Sequence, residues 1–196
     1  MTFLKQLSIL LFILMISFSK VAQSYDAIVS LGNICEFIGK IQTDDKGATN
    51  VCAFNPYLSS SVDFKPFKNI NFAPEIGFTF PQTGRDSNIN KMNIVALINA
   101  KYTFSMLHLF FGTGFYFTRL SAGGGEEVLN NGNSTTSFPL PDSTVYTRNF
   151  ILNLGARFPI NATWSVDAHT FIFNLYNFEE RSFSAVFNLN YHFGEF

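Results

Sequence analysis

The final stretch of the chain, Phe183-x-Ala185-x-Phe187-x-Leu189-x-Tyr191-x-Phe193, puts an apolar side chain at every second position, with Ser182, Ser184, Asn188, Asn190 and His192 between them. A period of two belongs to an extended strand with one apolar and one polar face; a helix repeats every 3.6 residues and cannot carry it. Whatever this chain folds into must therefore offer that strand an apolar medium on one side and a polar one on the other.

Seven earlier segments repeat the pattern. Tyr25 to Cys35 is the least regular, with Ala27, Val29 and Leu31 opposite Asp26, Ser30 and Gly32. Cys52 to Phe64 sets Leu58, Val62 and Phe64 against Tyr57, Ser59, Ser61 and Asp63, and Asn71 to Phe80 sets Phe72, Ile76, Phe78 and Phe80 against Asn71, Glu75, Gly77 and Thr79. Lys91 to Phe104 turns Met92, Ile94, Ile98, Tyr102 and Phe104 one way and Lys91, Asn93, Asn99 and Lys101 the other. Leu107 to Phe117, Phe150 to Ile160 and Trp164 to Ile172 alternate likewise. Helical periodicity is confined to the amino terminus, so the chain reads as all-β.

Composition decides which side is apolar. Only 14% of residues are charged while 25 are Phe, too apolar for an ordinary soluble β domain, yet past the first residues no unbroken apolar run of about 20 exists to make a spanning helix. Strands that alternate lipid-facing and lumen-facing residues reconcile the two facts. At the start, Lys5, the apolar run Leu7 to Phe18 and the small residues of Ala22-Gln23-Ser24 have the order of a secretion signal, so residues 1–24 are expected to be a cleaved signal peptide and 25–196 a single domain. With 13 Lys+Arg against 14 Asp+Glu, no strong field points to nucleic acid.

The connections between segments alternate long and short: Glu36 to Val51, Lys65 to Ile70, Pro81 to Asn90, Ser105-Met106, Ser121 to Val145, Asn161 to Thr163, Asn177 to Arg181. Short turns on one side and long loops on the other, with both termini on the turn side, fit an even-stranded transmembrane barrel. Phe72, Tyr102, Phe104, Phe158, Trp164, Tyr191 and Phe193 fall beside the turns on the apolar face and would form one aromatic girdle; Phe80, Phe115, Phe117 and Tyr146 would form the other. A soluble sandwich or lipocalin-like barrel would keep such rings inside. The expected fold is an eight-stranded antiparallel up-and-down transmembrane β-barrel, whose lumen at that strand number is just wide enough for side chains to fill.

In architecture, from Tyr25 to Phe196, the chain resembles the eight-stranded bacterial outer-membrane barrel families, which include the transmembrane domain of outer membrane protein A and the opacity proteins. The resemblance implies an outer-membrane location, contact with outer-membrane lipid, and a C-terminal aromatic read by the barrel-assembly machinery. Tyr191, Phe193 and Phe196 are the positions that match such a signal, Gly194-Glu195-Phe196 extending the Tyr191-His192-Phe193 ending. The glycine usual five positions before the final aromatic is Asn188 here, a departure from the pattern.

Cys35 and Cys52 bracket the first long loop, and in a secreted protein they are expected to pair as a disulfide, the alternative being two unpaired, partly buried thiols. Glu75, Lys101, His108, Arg157, Asp167 and His169 have lumen parity, and ionised groups in a narrow lumen must be paired or hydrated; Arg157 and Asp167 flank one short turn and are expected to pair. Gly77, Gly112, Gly114 and Gly155 share the same face and read as packing positions. His169 stands in Asp167-Ala168-His169-Thr170, without the His-x-Ser-Asn pattern of lipid A deacylases, and Gly123-Gly124-Gly125 lacks the Lys-Ser/Thr of a phosphate loop. No cofactor or metal is therefore expected. Asn133-Ser134-Thr135 and Asn161-Ala162-Thr163 match glycosylation acceptors by chance. The long Ser121 to Val145 loop, rich in Gly, Asn, Ser and Thr, is expected to be polar and mobile, with Phe138-Pro139-Leu140-Pro141 as an apolar knuckle for an external or periplasmic protein partner not named by the sequence. The function expected is a structural or interaction barrel with a filled lumen that presents its loops; a narrow porin-like channel is the alternative, and a lipid A-modifying enzyme a more distant one.

Overall fold

The computed structural model describes residues 25–38, 42–43, 49–50, 52, 54–66, 69–83, 90–130 and 135–195. Residues 1–24, where the signal peptide is expected, and Phe196 lie outside them.

Eight long strands carry the fold: β1 Tyr25–Ile38, β2 Pro56–Phe64, β3 Ile70–Thr79, β4 Asn90–Phe104, β5 Leu107–Ser121, β6 Val145–Pro159, β7 Trp164–Phe173 and β8 Ser182–Glu195. Each pairs antiparallel with its sequence neighbours, and β1 pairs with β8, so the sheet closes on itself and has no free edge. A short piece, Gln82–Thr83, pairs with the start of β4.

The face parity is the one the alternation predicts, on all eight strands. Lumen-facing Ser59, Asn99, Asn153, Ser184 and Asn190 are buried, whereas Leu31, Ile76, Ile98, Phe111 and Phe187, facing out, are 52–64% exposed. In water such an exterior would be a single apolar patch far beyond what soluble proteins show; around a barrel it is the belt that meets hydrocarbon. The girdle beside the turns is in place: Trp164 stacks edge-on against Tyr191, and Tyr191 against Phe193, both at 5.0 Å between ring centroids.

The turns follow from local chemistry. Ser105 takes a φ of 54° in the two-residue turn that lets Phe104 pair directly with Leu107. In the β6–β7 turn the Asn161 side-chain carbonyl accepts from the backbone N–H of Thr163 and of Trp164, each at 2.8 Å, a turn-forming role that accounts for this asparagine. Pro74 has no N–H, and the β2–β3 ladder is interrupted between Ser61↔Glu75 and Phe64↔Phe72 where it sits.

Several boundaries differ from the sequence reading: β2 begins at Pro56 and not at Cys52, β5 runs on to Ser121, and β6 begins at Val145. β1 runs on to Ile38, so Glu36 lies in a strand and not in the loop. The last loop begins at Asn174, whose φ of 51° ends β7, not at Asn177. The Ser121 to Val145 segment is not wholly irregular: Glu126–Asn130 pairs with Thr135–Pro139 as a two-stranded hairpin, entered through Gly124 and Gly125 at φ of 75° and 94°.

Candidate functional site: the barrel lumen

Inward side chains from the eight strands stack in three layers. At the turn end, Lys101 Nζ donates to Asp63 Oδ1 at 2.6 Å, and Arg157 donates to Asp167 Oδ2 through Nη2 at 3.0 Å and Nε at 3.3 Å. The pairing of Arg157 and Asp167 is dictated by register, since they are direct cross-strand partners on β6 and β7. Asn190 donates to the same Asp167 oxygen at 2.9 Å.

In the middle layer Glu75 accepts from Asn99 at 3.1 Å and from the Tyr57 hydroxyl at 3.3 Å. Asn153 donates to Asn99 at 2.9 Å and accepts from His169 Nδ1 at 2.8 Å, while Asn188 donates to His169 Nε2 at 3.2 Å. That set satisfies a neutral imidazole with its proton on Nδ1. Beside it runs an apolar plug of Ile34, Val95, Leu97, Ile151, Phe171 and Val186, closed by Tyr57 and Tyr116. The Tyr57 ring occupies the space a Cβ at Gly77 would fill, and His169 and Phe110 do the same at Gly155, so these glycines admit ring packing against the wall.

Toward the loop end, Glu36 gathers a third cluster. Its Oε1 accepts from Asn93 at 2.6 Å, Asn55 at 3.0 Å and the Tyr116 hydroxyl at 3.1 Å, and its other oxygen pairs with Lys91. Next to it Cys35 and Cys52 form a disulfide, with Cα atoms 4.6 Å apart.

Of the residues singled out in the sequence, Arg157 and Asp167 meet, Glu75 and His169 share one hydrogen-bond chain through Asn99 and Asn153, and Lys101 goes to Asp63. His108 bonds Thr103 at 3.1 Å across the β4–β5 turn. Glu36, Asp63 and a further set, Asp26, Ser165 and His192, were not singled out. Parity alone could have found Asp26, Asp63, Ser165 and His192, because each continues the polar face of its strand; Glu36 fell in a stretch read as loop.

Asp26, His192 and Ser165 have the connectivity of a hydrolase triad: His192 Nδ1 lies 2.6 Å from Asp26 Oδ2, and its Nε2 lies 2.8 Å from Ser165 Oγ. Nucleophilic attack would need a substrate carbonyl at about 3 Å from that hydroxyl with donors aimed at the developing oxyanion. Ser165 is 1% exposed and Asn190 donates to its oxygen at 3.2 Å. The set joins β1, β7 and β8 where the barrel closes. Among the described residues no group of three or more His, Cys, Asp or Glu is arranged to hold a metal ion.

No protein-family model matches the chain, and no curated protein is similar to it. Solved structures are. The attachment invasion locus protein Ail of Yersinia pestis aligns over 88% of this chain and 98% of its own at 8% identity and a TM-score of 0.51. The N-terminal β-barrel domain of Pseudomonas aeruginosa OprF covers 87% of this chain and 97% of its own at 11% identity, TM-score 0.46. The outer membrane protein OprG from the same organism covers 87% and 95% at 10% identity, TM-score 0.43. The chain thus has the fold of the eight-stranded bacterial outer-membrane β-barrels, closed, antiparallel and apolar on its outside.

Proposed function

We propose that this protein is an outer-membrane anchor with a closed lumen, delivered by a cleaved N-terminal signal and assembled through its C-terminal aromatic strand, whose work is done by what it presents at the loop end. The observation that carries this reading is the plug: Ile34, Tyr57, Val95, Ile151, Phe171 and Val186 are each 0% exposed across the middle of the barrel. Packed beside the hydrogen-bonded chain of Glu75, Asn99, Asn153 and His169, these side chains fill the middle of the lumen, so a passing ion would have to give up its hydration with no free polar groups to replace it. The loop end carries the material for contact with a partner, including the strongly exposed Tyr176 and Phe178 of the β7–β8 loop, Phe178 stacked under Arg181 at 3.9 Å.

Planar-bilayer recording of the purified protein tests the proposal. The expected trace is flat. Stable single-channel steps, abolished by Arg157→Ala or Glu75→Ala, would establish the narrow channel instead.

A further inference from the structure

Along the eight strands, charge is sorted by face. From Asp26 on β1 to His192 on β8, the described Asp, Glu, Lys, Arg and His side chains of the membrane-crossing strands turn into the lumen, with two exceptions. Arg119 on β5 and Arg148 on β6 point outward and are exposed. Both are arginines, on neighbouring strands, at the loop end. A charge on the lipid face is costly at mid-membrane and nearly free at the interface, so outward arginines belong at the rim, where these two stand.

Their surroundings fix the level. Arg119 follows Phe117 by two residues and so stands one outward position beyond it, while Arg148 precedes Phe150 by two and is paired directly with Phe117, which sets both arginines at the aromatic rim. Tyr146, 72% exposed, is the direct cross-strand partner of Arg119, which makes Arg148 its diagonal neighbour, at about 7–8 Å. Arg148 lies with Cζ 5.5 Å from the centroid of the Phe115 ring. Neither arginine has a carboxylate partner among the described residues. Two planar forks and a phenol are thus displayed on one flank, facing the layer where lipid headgroups sit.

We propose that Arg119, Arg148 and Tyr146 form a binding site for the phosphate of an outer-leaflet lipid headgroup, on the β5–β6 flank of the barrel. The guanidinium fork matches phosphate oxygens bidentately, and a site half shielded by lipid strengthens that attraction over its value in water. The site rests on the membrane placement proposed above, since in water the same side chains would face only solvent.

Native mass spectrometry of the protein released from membranes in detergent reads the site directly. It is titrated with bisphosphorylated lipid A, with the same lipid stripped of phosphate, and with inorganic phosphate as competitor. Wild type is expected to hold the phosphorylated lipid about tenfold more tightly than the stripped one, and R119Q/R148Q to lose that preference while keeping the heat-dependent gel shift of a folded barrel. R119K/R148K should recover part of it, because charge remains while the fork is lost. Equal binding of the two lipids, or an unchanged preference in R119Q/R148Q, overturns the site; competition by equimolar inorganic phosphate overturns the lipid as its source. Failure of the wild type to enter lipid vesicles is a separate result, which removes the membrane placement and the site with it.

Discussion

Replacing Ile98 by arginine tests the assignment of inside and outside at its most sensitive point. Ile98 is 64% exposed on the outward face of β4, six residues before the strand ends at Phe104. At about 3.4 Å per residue and a tilt near 40°, six residues span about 15 Å along the barrel axis. The apolar band is about 25 Å tall, so Ile98 lies close to its middle. Arginine there should cost about 2 to 4 kcal/mol, and at the rim position Phe104 about 0 to 1 kcal/mol. Alanine at each site serves as the reference, which removes the loss of the native side chain from the comparison. Denaturant unfolding from lipid vesicles measures both differences. If I98R and F104R differ from their alanine references by the same amount, or F104R by more, the belt is not where the exposure places it. Asn99→Arg, one residue away, fails for another reason: Asn99 is 1% exposed, its side chain lies against the wall at Gly112, and it bonds Glu75 and Asn153.

Arg157→Ala leaves Asp167 buried without its cation and should cost about 3 to 5 kcal/mol, whereas the R157L/D167L pair should cost much less; similar losses in the two proteins would refute a mutually compensated pair. Reduction of the Cys35–Cys52 bond, 17 residues apart in sequence, should remove on the order of 3 kcal/mol and open the first loop to protease on intact cells, while Ser121 to Val145 is cut with or without reductant. Thiol labelling of the untreated protein would contradict the bond, and cleavage confined to the Lys65 to Ile70 or Asn161 to Thr163 turns would reverse the orientation.

The strands and their faces were legible because lipid and lumen impose opposite demands at successive residues, and the sequence follows them over most of each strand, the inward Ile34, Val95, Leu97, Ile151, Phe171 and Val186 of the plug being the exceptions. Partnerships inside the lumen were less so. Arg157 and Asp167 could be matched because a short turn fixes their register. Lys101 could not: its cross-strand neighbour on β3 is Asn71, and its ammonium reaches past that strand to Asp63 on β2, which only a side chain of its length can do. Glu36 was hidden for a different reason. The polar face of β1 continues past Cys35, but Cys35 itself breaks the alternation, since it and Ile34 are both buried. The hairpin within the Ser121 to Val145 segment carries no alternation strong enough to distinguish it from a loop.

The closure of β1 on β8 gives the order of events a physical direction. Asp26 and His192 meet across a sequence separation of 166 residues, and Ser165 completes the contact. Until the last strand arrives, β1 and β7 each expose a row of backbone donors and acceptors, which hydrocarbon cannot satisfy. A partly made barrel is therefore not a weaker version of the finished one but an object that lipid rejects. The closing fourteen residues work as a latch, and the protein becomes a membrane protein only when it is thrown.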